Sequence, residues 1–144
     1  MVFKIVRQVH EVFDLFEKTK DRQAKIKVLR ENESGAIRDV CRGIFDKSIS
    51  WNLPEGVPPY TENNPDSSPN TLLKLHMRFK FFVKGLKESE SMEKFRREKM
   101  FIDILESVHP EDAKILVSMI NKKSPVKGLT KKIIQEAYPN LIRE

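Results

Sequence analysis

The sequence predicts an all-α chain folded as a single compact domain of about six or seven helices with one long Pro-rich loop. Three observations lead there. The 144 residues match the commonest length of one domain. Five Gly are too few for the tight turns of an all-β fold, and the abundant Lys, Glu, Leu, Ile and Arg are mostly good helix formers. Apolar residues recur at spacings of three and four along most of the chain. An apolar fraction of 39%, with nine Phe, supplies one core.

Phe3, Val6, Val9, His10, Val12, Phe13 and Phe16 form one apolar face, which predicts a first helix from residue 3 to about 18. Ala24, Ile26, Val28 and Leu29 mark a second helix to about residue 32, with Asp21 as its N-cap. After a break at residues 32–35, Ser34 caps a third helix carrying Ala36, Ile37, Val40, Cys41, Ile44 and Phe45. Residues 46–69 change character. Five of the eight Pro fall there, and no Lys or Arg follows Lys47 until Lys74. Trp51 and Leu53 are expected to pack back on the domain, while residues 61–68 read as a mobile surface loop. A connection this long in a small domain tends to be functional or disordered.

Asn70 is the expected cap of a fourth helix over residues 71–83, with Leu72, Leu75, His76, Phe79, Phe82 and Val83 inward and Gly85 at its end. Ser91 is the expected cap of a fifth, with Met92, Phe95, Met100, Ile102, Leu105 and Val108 inward. His109-Pro110-Glu111-Asp112 is a strong start for a sixth, with Pro in the first turn and two carboxylates at the positive end of the helix dipole. A basic connector, residues 122–129, leads to Thr130, which caps a last helix that Pro139 stops. The chain shows no internal repeat and no low-complexity tract.

Motifs for chemistry are mostly missing. The Gly are scattered singly, so there is no phosphate-cradling loop, and no Gly-x-Ser-x-Gly elbow occurs. His10, His76 and His109 lack ligand-like spacing to Cys or carboxylates, which leaves no metal site or cofactor to expect. His10 and His76 read as residues at the edge of the core, and His109 as a helix cap. The single Cys41 excludes an internal disulfide, suits a reducing compartment, and reads as core packing rather than a nucleophile. No stretch approaches the ~18 apolar residues of a membrane span. The start, Met1-Val2-Phe3-Lys4, lacks the apolar block of a signal peptide, so the cytoplasm is the expected location.

The formal charge is +6, and it is unevenly placed. Residues 1–33 sum to +2, residues 34–70 to −2, and residues 71–109 and 110–144 to +3 each. The densest basic piece, residues 121–132, holds Lys122, Lys123, Lys127, Lys131 and Lys132 and no acid. A loop entering a capped helix presents free backbone N–H groups, and Gly128 lets another backbone approach closely. Lysines around such a turn can clamp phosphate, or can simply belong to a solvated connector. Lys74, Arg78, Lys80, Lys84 and Lys87 form a second positive stripe along the fourth helix. Lys94, Arg96, Arg97 and Lys99 on the fifth are interleaved with Glu93 and Glu98.

Two stretches carry a resemblance. The run from Glu111-Asp112-Ala113-Lys114 through Gly128-Leu129-Thr130 to Tyr138-Pro139-Asn140-Leu141-Ile142 resembles the end of the N-terminal helical DNA-binding domain of T-even-phage-type ATP-dependent DNA ligases. Ala24 to Asn32, followed by Leu53-Pro54, is similar to an early helix-break-helix segment of that domain. The chain also looks like small proteins of T-even-like phages. In those ligases the helical domain grips the duplex around a nick through phosphates and the minor groove. The resemblance implies a DNA-backbone role for Lys122, Lys123, Lys127, Gly128, Thr130 and Lys131. Where the ligase connector has an Arg-Asp-Leu-like run, this chain has Lys123-Ser124-Pro125. No Lys-x-Asp-Gly nucleotide-attachment motif occurs, so the chain is not expected to be a ligase.

The expected function is therefore a non-enzymatic, phage-encoded protein that binds double-stranded or nicked DNA, with Lys132, Lys74 and Arg78 joining the connector residues. It would act in the cytoplasm of a bacterial host or in the virion. A phage structural or host-takeover module that binds phage or host proteins without DNA is the alternative, with the acidic, Pro-rich loop as its contact segment. A small enzyme with a carboxylate site assembled in space is the third.

Overall fold

The computed structural model describes residues 6–142. Eight α-helices and one 3-10 helix follow in order: α1 (Val9–Lys18), α2 (Arg22–Glu31), α3 (Gly35–Phe45), α4 (Leu72–Leu75), the 3-10 helix (His76–Phe82), α5 (Lys87–Glu90), α6 (Lys94–Ser107), α7 (Pro110–Ile120) and α8 (Lys131–Ala137). The all-helical fold class expected from the sequence is what the structure shows. α7 packs against both α3 and α6. α1 packs on α7 and α2, and α2 carries α8, while α4 and the 3-10 helix pack on α3.

Local chemistry starts and stops these helices. Asp21 accepts the Ala24 N–H at 3.0 Å, Ser34 the Ile37 N–H at 3.2 Å, and Thr130 the Ile133 N–H at 3.3 Å. His109 Nδ1 does the same for Glu111 N–H, ahead of Pro110 in the first turn of α7. At α1 the Glu11 carboxylate accepts the Gln8 N–H at 2.8 Å. The helix therefore begins at Val9, and Val6, expected inward, is 66% exposed because the helical phase does not reach it. Phe3 lies outside the described residues.

The largest departures fall between residues 70 and 108. The fourth helix is α-helical for only four residues and then narrows to seven residues of 3-10 helix. His76, Phe79 and Phe82 are spaced at three, which the 3-10 period lines up on one edge. At about 2.0 Å rise per residue against about 1.5 Å, the 3-10 form also stretches the segment. Its end meets the long loop, where Trp51 and Val83 form an antiparallel bridge. Asn70 caps nothing; its N–H donates to Ser107 O at 3.1 Å. Ser91 is likewise no N-cap: its hydroxyl donates to Lys87 O, closing α5, and α6 starts after Glu93.

The phase of α6 differs as well. Phe95, expected inward, is 71% exposed, and the buried edge is Arg97, Phe101, Ile104 and Leu105. Arg97 decides this. Its guanidinium donates to Asn52 O at 2.7 Å, Met92 O at 3.0 Å and Ser89 O at 3.1 Å, so one side chain joins the Pro-rich loop, the turn before α6 and α5. Turning Arg97 inward turns Phe95, two residues earlier, out.

The Pro-rich loop is pinned to the helices. Trp51 is buried and donates from Nε1 to Gly43 O at 3.0 Å. Gly56 and the Asn121 side chain exchange two hydrogen bonds, and Thr61 N–H donates to the Glu106 carboxylate. At the C-terminal side Arg22 grips Glu136 with two bonds, and the Tyr138 hydroxyl donates to Leu29 O. Among the described residues no helix is long and apolar enough to cross a membrane.

Candidate nucleic-acid interface

The connector after α7 is an ordered turn. Lys122 adopts φ 57° and Gly128 φ 88°, and between them Ser124 Oγ bonds Val126 O at 2.9 Å and Leu129 O at 2.7 Å. Buried Leu129 anchors its end, and Thr130 caps α8. Lys123, Lys127 and Lys132 are exposed, as are Gly128 and Thr130, while Lys131 is half-buried.

Two parts of the connector differ from the sequence expectation. The Lys122 ammonium does not project freely; it donates to Asp46 O at 2.9 Å, at the end of α3. Burial lowers its pKa, against the pull of the Asp46 carboxylate. The segment is acid-free in sequence but not in space, because the Glu17 carboxylate of α1 accepts the Lys127 N–H at 3.1 Å. A Cβ on Gly128 would stand 3.7 Å from Lys25 Nζ, which itself donates to Phe16 O and lies over the Phe16 ring.

Lys74 and Arg78 belong to a different part of the fold, α4 and the 3-10 helix. Both are exposed, one turn apart. Arg78 faces α6 across a cavity of about 480 Å³ lined also by Arg96, Lys99, Asp103 and the apolar flanks of Met100 and Ile104. The interleaving of Arg96 and Lys99 with Glu98 in sequence dissolves here. Glu98 lies against Leu53 and Pro54 in a different cavity, while Arg96 and Lys99 join Arg78. This three-cation groove was hidden in the sequence because its members come from two elements.

Ion pairing separates the two parts of the fold. On α1, α2 and their neighbours the cations are engaged: Lys18 with Asp14, Arg22 with Glu136, Lys27 with Glu31, and Arg30 with the carbonyls of Glu136 and Ala137. The side chains of Lys74, Arg78, Lys84, Lys87, Lys94, Arg96 and Lys99 make no ion pair or hydrogen bond with a described residue, and that of Lys80 only lies over the Phe81 ring.

The histidines, distant in sequence, are partly assembled. His10 stacks on His109 with ring centroids 4.0 Å apart, and its Nδ1 lies 3.1 Å from the buried Asp112 carboxylate. Burial opposes a charge on His10, but Asp112 beside it, with Glu11 and Glu111, outweighs burial and raises its pKa. Asp112 also accepts the His10 backbone N–H at 3.0 Å, so it ties α7 to the first turn of α1. His76 Nδ1 meets Asp39 at 2.6 Å. Among the described residues no group of three or more His, Cys, Asp or Glu is disposed to hold a metal. Cys41 is fully buried, and burial pushes its thiol far above the usual range.

The pattern that defines a family of unknown function, DUF6433, matches residues 12–125. The chain belongs to that family. The matched span runs from α1 into the connector and takes in Lys74, Arg78, Arg96 and Lys99; Lys127 to Lys132 follow it. No curated protein matches the chain.

Proposed function

We propose that this protein is a non-enzymatic DNA-binding protein of phage DNA metabolism, acting in the host cytoplasm on duplex or nicked DNA through phosphate contacts. The observation that supports it is the segregation of unpaired cations. Lysines and arginines that already hold a carboxylate or a carbonyl gain little from a phosphate, whereas exposed, unpaired ones release counterions when they meet it. Here the unpaired set is concentrated on α4, the 3-10 helix, α5 and α6, with Arg78, Arg96 and Lys99 converging on one groove. Lys123, Lys127 and Lys132 form a second, smaller set at the connector.

The resemblance to the ligase DNA-binding domain favours the connector, while the geometry favours the groove. Gel-shift titration on intact and nicked duplex tests both. Arg78→Glu/Arg96→Glu/Lys99→Glu is expected to weaken binding by two orders of magnitude or more, and Lys123→Glu/Lys127→Glu by less. Reversing the already paired Lys18 and Lys27 is expected to change little. Failure of the wild-type protein to shift either probe at low salt would sink the reading.

A further inference from the structure

The 3-10 helix presents a second line of side chains. With three residues per turn, Met77 and Lys80 share an edge that differs from the one carrying Arg78, and Val83 follows just past the helix end. That edge borders a separate groove of about 470 Å³. Its floor is apolar, built around the Trp51–Val83 bridge, and its rims carry Met77, 72% exposed, and Leu86, 40% exposed. Met77 and Leu86 line one groove together with Trp51 and Val83, so an apolar side chain entering it would meet apolar neighbours.

The charges around it have one sign to offer. Arg42, Lys80 and Lys84 line the groove, and the acid there, Asp39, is already held by His76 Nδ1. Arg42 is half-buried in the groove lining, and its Nε, closed off from solvent, has no hydrogen-bond partner among the described residues. A nucleic-acid backbone would satisfy the cations but would strand Met77 and Leu86 against sugar and phosphate. A peptide carrying both carboxylates and apolar anchors satisfies both.

We infer that this groove docks an acidic segment of a partner protein, its aliphatic or aromatic side chains seated between Met77 and Leu86 and its carboxylates on Arg42, Lys80 and Lys84. The surface is distinct from the Arg78 groove and does not depend on DNA binding. A displayed library of random short peptides, selected on the wild-type protein at low salt, tests it. Enriched peptides are expected to combine several Asp or Glu with apolar residues, and to lose about tenfold or more in affinity for Met77→Glu/Leu86→Glu and for Arg42→Gln. Met77→Glu alone, at the more exposed position, serves if the double variant loses its helical circular dichroism. No enrichment, enriched peptides without acids, or undiminished binding to Met77→Glu would overturn the inference. So would displacement of the peptides by duplex DNA together with lost DNA binding in Met77→Glu, which would make the groove a nucleic-acid surface. Self-association that Met77→Glu abolishes would assign it to a second copy and would overturn it equally.

Discussion

Arg97 and His10 show how single charged residues are used inside this fold. The Arg97 guanidinium is buried against three carbonyls of the α5–α6 turn and the Pro-rich loop. Arg97→Met keeps the stem's packing and strands the Asn52 and Met92 carbonyls, while Ser89 O still accepts the Met92 N–H, so urea denaturation is expected to show a loss of about 2 kcal/mol or more, since each buried acceptor left bare costs about 1–3 kcal/mol. His10 behaves differently because it titrates. Its pKa is raised in the folded protein by Asp112, so the charged form favours folding. That contribution is complete below the ordinary histidine value of 6.5 and disappears as pH rises through the raised folded value. His10→Asn is therefore expected to lower the melting temperature more at pH 5 than at pH 8. A difference independent of pH would show that Asp112 does not act on His10 through its charge.

At the scale of elements, α3 packs closely against its neighbours at Gly43. Gly43 sits within its last turn, where the helix meets the loop's Trp51 and Met119 of α7. A Cβ there would stand 2.5 Å from the Trp51 ring and 2.8 Å from the Met119 side chain. Helix propensity alone favours Gly43→Ala by about 1 kcal/mol. Overpacking costs about 1–3 kcal/mol, so the expected net effect is destabilising, measurable by calorimetry. At α8 the Thr130 hydroxyl satisfies the Ile133 N–H, and Thr130→Ala is expected to cost about 1 kcal/mol. The caps at Asp21, Ser34, His109 and Thr130 were all legible in the sequence, because a cap is a contact between residues two or three apart. Asn70 and Ser91 were equally good candidates by type and cap nothing. Around them the chain answers to the Trp51–Val83 bridge and to Arg97, contacts that span 32 and 45 positions and leave no local pattern.

For the whole molecule, the distribution of paired and unpaired cations is the property that matters most for binding. If Arg78, Arg96 and Lys99 each neutralise one phosphate, the slope of log affinity against log salt is expected to flatten by about 2.7 when all three are replaced by Gln, at roughly 0.9 per phosphate on duplex. Replacing Lys123, Lys127 and Lys132 in the same way measures what the connector adds. An unchanged slope in the first variant and a flattened one in the second would move the interface to the connector, where the ligase resemblance points.

The helical class, the order of the main helices, four of their caps and the net positive charge were determined by the sequence alone. Each depends on composition or on neighbours a turn apart, and such features survive in a one-dimensional pattern. Which cations stay free was decided only by the tertiary structure. Lys122 read as part of the densest open charge, yet folding hands its ammonium to Asp46 O, and it sets the Glu17 carboxylate beside the connector backbone at Lys127. Arg96 and Lys99 read as interleaved with Glu93 and Glu98, yet in the fold Glu98 lines a different cavity and Arg78 joins them from another element. Ion pairing depends on distances of a few ångströms between residues far apart in the chain, and only the packed helices set those distances.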